Sequence, residues 1–373
     1  MNINTSWVEV DTSALKHNFS EVRKLIPESV AVMAVVKADA YGHGLVGGAR
    51  AFAEAGADCL GVTTLEEGLT LRESGVEIPV LIFSPLLPDQ VAPAVEKRLD
   101  MTVCGAEIVT CVSEAAERIG VPARVHAKVD TGMGRLGVSP QDCPALMYRL
   151  HNSAGVEVAG VYTHFANAGS KDLAHAWHQN TLFLEVLKNL REREIPYGIA
   201  HAANSAALLN IADSYHDMVR PGTILYGQNP SSRLFRRLPL RDTWALKTRI
   251  IALKHLGVGE KVGYGSEFTA VRPTVAAVIP VGYADGFSMI PDSIARRAAD
   301  PLRLAANRIL GVKPQLSVTV KGGKAPVLGR ISMQMCSIDV TEISGVQVGD
   351  EVTVPARRTA TSSRLPRIYL GES

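Results

Sequence analysis

Residues 31–44 read AVMAVVKADAYGHG, and the fold turns on their first six. Ala31–Val36 is a short apolar, β-branched run that stops at a lysine. Similar runs recur at Cys59–Val62, Val80–Phe83, Met101–Val103, Arg124–Val129, Val156–Thr163, Ile199–Ala203 and Met218–Val219. Helical patterns lie between them. Leu15, Phe19, Val22 and Ile26 share one helical face, as do Ile108, Val112, Ala115 and Ile119, and again Leu173, Trp177, Leu184 and Leu187. Strands separated by helices predict a parallel sheet. Eight such units over about 230 residues fit a closed (β/α)8 barrel of TIM type. An open doubly wound sheet is the alternative.

From about residue 240 strand-like runs dominate: TRIIALKHL, TVAAVIPVGYA, LSVTVKG, APVLGRISM, CSIDVT and DEVTV, with turns such as GVGE and KGGK between them. The expected organisation is an α/β barrel over 1–235 followed by a mainly β C-terminal domain over 236–373. Gln228–Arg241 is the candidate boundary. The basic segment SIARRAADPLRLAANRILGVK reads as an insertion in the β-domain.

Composition narrows the function. Among 373 residues, 39 basic and 37 acidic side chains leave a net charge of +2. That balance points to neither nucleic acid nor an anionic membrane as partner. The 5 cysteines form no C-x-x-C pair, so a disulfide framework or structural zinc is not expected, and reduced thiols suit a cytoplasmic protein. The N-terminus lacks the pattern of a secretory signal, and no stretch reaches the roughly 18 apolar residues of a membrane span.

Lys37 stands at the carboxyl end of the first predicted barrel strand, where barrel enzymes place their chemistry. A lysine at the rim of an apolar interior is partly desolvated, which lowers its pKa and frees a neutral amine to attack a carbonyl. From position alone, a snorkelling lysine with no chemistry is an equal reading. Gly42-His-Gly44-Leu-Val-Gly47 matches G-x-G-x-x-G. The motif should follow a strand directly and meet an acid at the end of the next strand. Neither condition holds, so a dinucleotide site is not expected.

AVVKADAYGHG resembles the cofactor-lysine signature of the alanine racemases, which use pyridoxal 5'-phosphate on a fold type III barrel. HAKVDTGMGRLG, VYTHFANA, HAANSAA, RPGTILYG, KVGYGSEFTA, PVGYADGF and GRISM follow in the family's order. The resemblance implies an isomerase that interconverts L- and D-alanine by two-base proton transfer at Cα, for D-alanine supply to peptidoglycan. Serine or a broader amino-acid set is the alternative substrate. Lys37 would carry the cofactor as an aldimine and serve one face as acid and base. Tyr264, supplied by a second subunit, would serve the other, which implies a homodimer with shared sites. Tyr41, Ser205, Gly222 and Thr223 would hold the phosphate, with Asn204 in the same loop. His164 would lie beside the pyridine ring.

Arg220 would face the pyridine nitrogen. A permanently charged guanidinium disfavours its protonation and a long-lived carbanion, which favours racemisation over transamination. Arg135 and the backbone of Met333 of the partner subunit would bind the substrate carboxylate, and Tyr283 would line the entry. Lys128 matches a position carbamylated in some members. An ordinary lysine is the other reading there.

Three departures from the family pattern stand out: Gln334 where Asp is common, a connecting segment reduced to Pro355–Ser362, and Ser363 where many members have tyrosine. The smaller serine suggests room for a larger substrate. His175 and His178 form H-x-x-H without an apparent third ligand and read as surface residues. His201 either supports Arg220 or is structural. Cys336 reads as packed in a strand. Trp7, Trp177 and Trp244 read as packing or interface residues. A fold type III decarboxylase would more often place an acid opposite the pyridine nitrogen. A pyridoxal-phosphate carrier would lack the β-domain.

Overall fold

A computed structural model describes residues 3–231, 234, 236–288 and 316–371. The predicted insertion Ser293–Lys313 lies outside them. The chain divides into two compact units, Thr12–Thr243, and Met1–Asp11 together with Trp244–Ser373.

In the second of these units, strand β1 (Ser6–Asp11) opens the chain. It pairs antiparallel with β10 (Trp244–Arg249) and parallel with β19 (Arg367–Leu370). The division therefore does not run at 235/236. The first eleven residues leave the predicted 1–235 segment because SWVEVD finds its ladder partners more than two hundred residues away. Ser6 Oγ lies 2.8 Å from Thr248 Oγ1 in that pairing.

The barrel unit closes β2 (Ala31–Val35), β3 (Cys59–Val62), β4 (Val80–Ile82), β5 (Asp100–Val103), β6 (Ala123–Lys128), β7 (Val156–Tyr162), β8 (Ile199–Asn204) and β9 (Met218–Arg220) into a ring. Every neighbouring pair is parallel, and β9 returns to β2 through Ala31 beside Met218. The structure is thus the closed barrel rather than the open sheet. Burial explains the composition of the runs: β3, β4, β5 and β9 are buried at every residue.

The helix Thr12–Leu25 buries Leu15, Phe19 and Val22, as its pattern predicts. The helix Ala174–Glu192 departs from expectation. Trp177 and Leu184 are exposed. The buried stripe instead includes Ala176, Gln179, Asn180, Phe183 and Leu187. Two amides hide in that stripe because they have backbone partners. Gln179 Oε1 accepts from Ala166 N–H at 2.9 Å, and its Nε2 donates to His164 O at 3.1 Å.

The other unit is a nine-stranded sheet in the order β11-β14-β17-β16-β15-β18-β10-β1-β19. Its further members are β11 (Ala252–Leu256), β14 (Thr274–Ile279), β15 (Ser317–Val320), β16 (Gly323–Leu328), β17 (Cys336–Asp339) and β18 (Glu351–Val354). Lys261–Val262 (β12) and Phe268–Thr269 (β13) form a separate ribbon. Within the connecting segment Pro355–Ser362, Arg358–Ala360 forms a single 3₁₀ turn.

Candidate active site

Barrel strands alternate their side chains, and the carboxyl ends of β2, β6, β8 and β9 converge on a cavity of about 300 Å³. Lys37, Tyr41, Lys128, Arg135, His164, Asn204, Ser205, Arg220, Gly222 and Thr223 all line it. They come from five separated motifs.

Lys37 enters the cavity through an unusual backbone. Ala38, Asp39, Ala40 and Tyr41 have φ of 54°, 57°, 50° and 54°, a complete left-handed turn. Such backbone costs an L-residue roughly 1–2 kcal/mol per position, so the surroundings must over-determine it. Glu67 does part of this. One carboxylate oxygen accepts Ala38 N–H at 2.6 Å, and the other accepts Thr63 N–H at 2.9 Å. Asp39 Oδ1 accepts Leu45 N–H at 2.8 Å. Tyr41 stacks on Tyr226 with ring centroids 4.7 Å apart. Gly42 and Gly44 therefore follow a left-handed turn, not a strand, which disposes of the dinucleotide reading. Burial and the Arg135 charge hold the Lys37 amine below the ordinary lysine range, with Glu67 opposing.

At one end of the cavity hydroxyl and amide donors converge. Ser205 Oγ accepts Gly222 N–H at 2.8 Å, and the Thr223 side chain bonds the Tyr41 phenol. Elsewhere in the lining, Arg220 is buried and donates to His201 Nδ1 at 2.9 Å, Thr163 O at 2.8 Å and Ala202 O at 3.1 Å. His164 Nδ1 lies 3.3 Å from the same guanidinium. Burial, and then the charge of Arg220, pushes His164 well below the usual histidine range, so its imidazole is neutral. Burial brings Arg220 itself down to about 10, still charged at neutral pH.

Sequence patterns alone missed several participants. Tyr162 lies between two basic side chains, with Lys128 Nζ at 4.9 Å and Arg220 Cζ at 5.2 Å from its ring centroid. Its hydroxyl bonds Thr102 Oγ1 at 2.8 Å. Asp130 builds the loop that carries Arg135: its carboxylate accepts the N–H groups of Gly132, Met133, Gly134 and Arg135 at 2.7–3.2 Å. Phe83, Leu136 and Pro230 complete the walls. A signal for Tyr162 existed. On the buried end of a strand a polar residue needs a partner, and VAGVY ends on one.

Lys128 is 5% exposed, and Nζ donates to Val129 O at 3.1 Å. Burial and the charges of Arg220 and Arg135 push its amine down to about 7, with Asp130 and Cys104 opposing.

Tyr264, Tyr283 and Met333 belong to the sheet unit and are exposed there. Ala284 N–H donates to Met333 O at 3.0 Å, which fixes Met333 beside the Tyr283 turn. The Tyr264 turn abuts the same stretch, since Arg330 forms an ion pair with Glu267. Gln334 and Ser363 are also exposed. His175 Nε2 lies 3.0 Å from Gly132 O, a backbone contact.

Comparisons agree with this layout. Residues 10–230 match the family described as alanine racemase, N-terminal domain, and residues 243–365 match its C-terminal domain. The alanine racemase of Desulforamulus reducens is 37% identical over 98% of this chain and 99% of its own. The solved alanine racemase of Clostridium difficile superposes with a TM-score of 0.90 at 28% identity, covering 100% of this chain and 97% of that one. That of Bacillus anthracis, solved with bound L-Ala-P, gives 0.86 at 29% identity over 100% and 96%. A closed barrel with a lysine, a buried arginine and a cluster of hydroxyl donors around one cavity, and a β-unit with an exposed tyrosine turn, are carried by a chain that belongs to the alanine racemase family, a family of isomerases.

Proposed function

We propose that this chain is an alanine racemase that binds pyridoxal 5'-phosphate at Lys37, works as a homodimer in the cytoplasm, and supplies D-alanine for peptidoglycan. The observation that carries the reading is the cavity itself. It sets a lysine of lowered pKa, a cluster of hydroxyl donors and a buried arginine around one small volume.

The lining suits the cofactor. A Cβ at position 222 would lie 2.5 Å from Tyr41 Oη, so glycine is what leaves the floor open beside Tyr41 and Ser205. Tyr41, Ser205, Thr223 and the Gly222 amide can share the oxygens of a phosphate. Among the described residues Arg220 has carbonyl and imidazole partners but no carboxylate, which leaves it available to a ring nitrogen acceptor. When bound, pyridoxal phosphate supplies a carbonyl for an amine to attack and a ring that delocalises the electron pair left by a departing α-proton.

The residues divide the remaining work. Lys37 Nζ, partly desolvated, exchanges a proton at Cα on one face. The phenol of Tyr264 of the partner subunit exchanges it on the other. Arg220 only donates, so it leaves the ring nitrogen without a proton. Arg135, on the loop organised by Asp130, and the backbone of Met333 of the partner subunit hold the substrate carboxylate, while Tyr283 lines the entry. Neutral Lys128 can add carbon dioxide: the amine nitrogen bonds to carbon, and one proton leaves to solvent. The resulting carbamate would set a negative neighbour beside Arg135.

The test is borohydride treatment of the loaded enzyme followed by peptide mass analysis, with racemisation of alanine and serine assayed in parallel. A pyridoxyl group on Lys37 and turnover of alanine are expected. A label that survives Lys37→Ala would overturn the assignment. Serine turned over within roughly 100-fold of alanine would favour the broader reading suggested by Ser363.

A further inference from the structure

Arg220 is the start of a hydrogen-bond chain that crosses the barrel interior. From Arg220, at the end of β9, the chain passes to His201 on β8. His201 Nε2 lies 3.0 Å from His126 Nδ1, and His126 Nε2 lies 3.4 Å from Asp100 Oδ2. All four are buried: Arg220 4%, His201 0%, His126 3% and Asp100 3% exposed. Asp100 Oδ1 accepts from Arg124 Nε at 3.0 Å.

The protons along this chain have one arrangement. A guanidinium has donors and no acceptor, so His201 Nδ1 must present its lone pair. Its proton then sits on Nε2 and points at His126 Nδ1, which must also accept. The His126 proton is left on Nε2, facing a carboxylate that only accepts. A second proton on His201 would set two donors against each other at Arg220. A second proton on His126 would force His201 to turn its own proton toward Arg220, with the same result. Both rings are therefore neutral and of one tautomer.

The fold is shaped around this chain. His126 is on β6 and His201 on β8, so their contact passes over β7. The residue of β7 in register with His126 is Gly160. A Cβ there would fall 2.4 Å from His126 Nδ1. Tyr162, two residues on, stacks on His201 at 4.8 Å with rings 4° apart. Burial alone would raise Asp100, but its partners His126 and Arg124 hold its carboxyl below the usual range.

We propose that Asp100, His126 and His201 are positioning residues for Arg220. They form a one-way relay that ends on a buried carboxylate and fixes the guanidinium in a single orientation, charged. The relay rests on the proposed racemase reading for its purpose, because a guanidinium so held can only donate toward a ring nitrogen. Outer partners of this kind change activity by about 10- to 100-fold when removed, on the scale known for second partners of ligating histidines.

The test uses the loaded enzyme with ¹⁵N-labelled histidine rings, assigned through His126→Gln and His201→Gln. Wild type should show a protonated Nε2 and a bare Nδ1 on both rings from about pH 6 to 9, the range that spans an ordinary histidine. Asp100→Asn keeps an acceptor oxygen and should keep both tautomers. Asp100→Leu removes it and should release the single tautomer of His126, lowering kcat by about 10- to 100-fold with KM nearly unchanged. An imidazolium or an Nδ1–H tautomer on either ring in wild type overturns the relay, as does an Asp100→Leu enzyme with unchanged kcat. If Asp100→Leu fails to fold, the wild-type spectrum decides. If Lys37 takes no pyridoxyl group while both tautomers are as stated, the racemase reading fails and the relay stands.

Discussion

The two halves of the barrel interior are built by different rules. Across β2, β3, β4 and β9, Met33, Cys59, Leu81 and Met218 pack as an apolar cluster with Ala31 and Phe83 against it. Across β5 to β9, the interior holds Asp100, Thr102, His126, Lys128, Tyr162, His201 and Arg220, all buried. The apolar half is held by volume, and a different filling of similar size serves nearly as well. The polar half is held by pairing, where each donor and acceptor has a named partner and one loss strands several groups. Stability is spread over both halves, but orientation, which the chemistry needs, resides in the second.

Four measurements test that contrast. Arg220→Ala should have the largest effect, since it leaves His201 Nδ1, Thr163 O and Ala202 O without their donor. A loss of about 3–5 kcal/mol in urea unfolding is expected, on the scale of breaking a buried charged pair, together with loss of racemisation. Leu81→Ala should cost about 2–5 kcal/mol by opening a cavity, yet the folded enzyme should keep its turnover. A turnover loss matching that of Arg220→Ala would erase the distinction between the halves.

The third measurement is the pH dependence of unfolding in buffer free of carbon dioxide. Lys128 titrates at about 7 when folded and at 10.5 when exposed. Between those values the unfolded chain holds a proton that the folded chain has released. Stability should therefore rise with pH through that window, by roughly 1.4 kcal/mol per unit at most. It should not change from this group below about pH 7, where both states are protonated. Lys128→Met should remove the rise. A flat wild-type profile would mean that the site holds no titrating amine. The smallest effect belongs to Met33→Leu, a volume-conserving change in the apolar half, which should cost less than about 1.5 kcal/mol with activity unchanged.

Much of this was legible in the chain itself. Each predicted barrel run contains its observed strand to within a residue or two, because most residues of a strand buried in a parallel barrel are apolar. Lys37 was legible as the residue that breaks such a run. The helix Ala174–Glu192 was misread because Gln179 and Asn180 look solvent-facing until their backbone partners are known. His126 fell inside the predicted run Arg124–Val129 and Asp100 just outside Met101–Val103, and neither stood out, because nothing local says that they face each other.

What the sequence determined by itself was therefore the local part: the strands, the helices, and a lysine, an arginine and several hydroxyls at strand ends. Tertiary structure alone decided the rest. Closure of β9 onto β2 set Arg220 beside the Lys37 cavity. The pairing of β1 with β10 and β19 moved the first eleven residues into the sheet unit. Gly160 let His126 reach past β7 to His201. The physical reason is common to all three. Strand patterns follow from the preferences of neighbouring residues, whereas a ladder partner or a buried proton acceptor is chosen by geometry across many intervening residues, once the chain has closed.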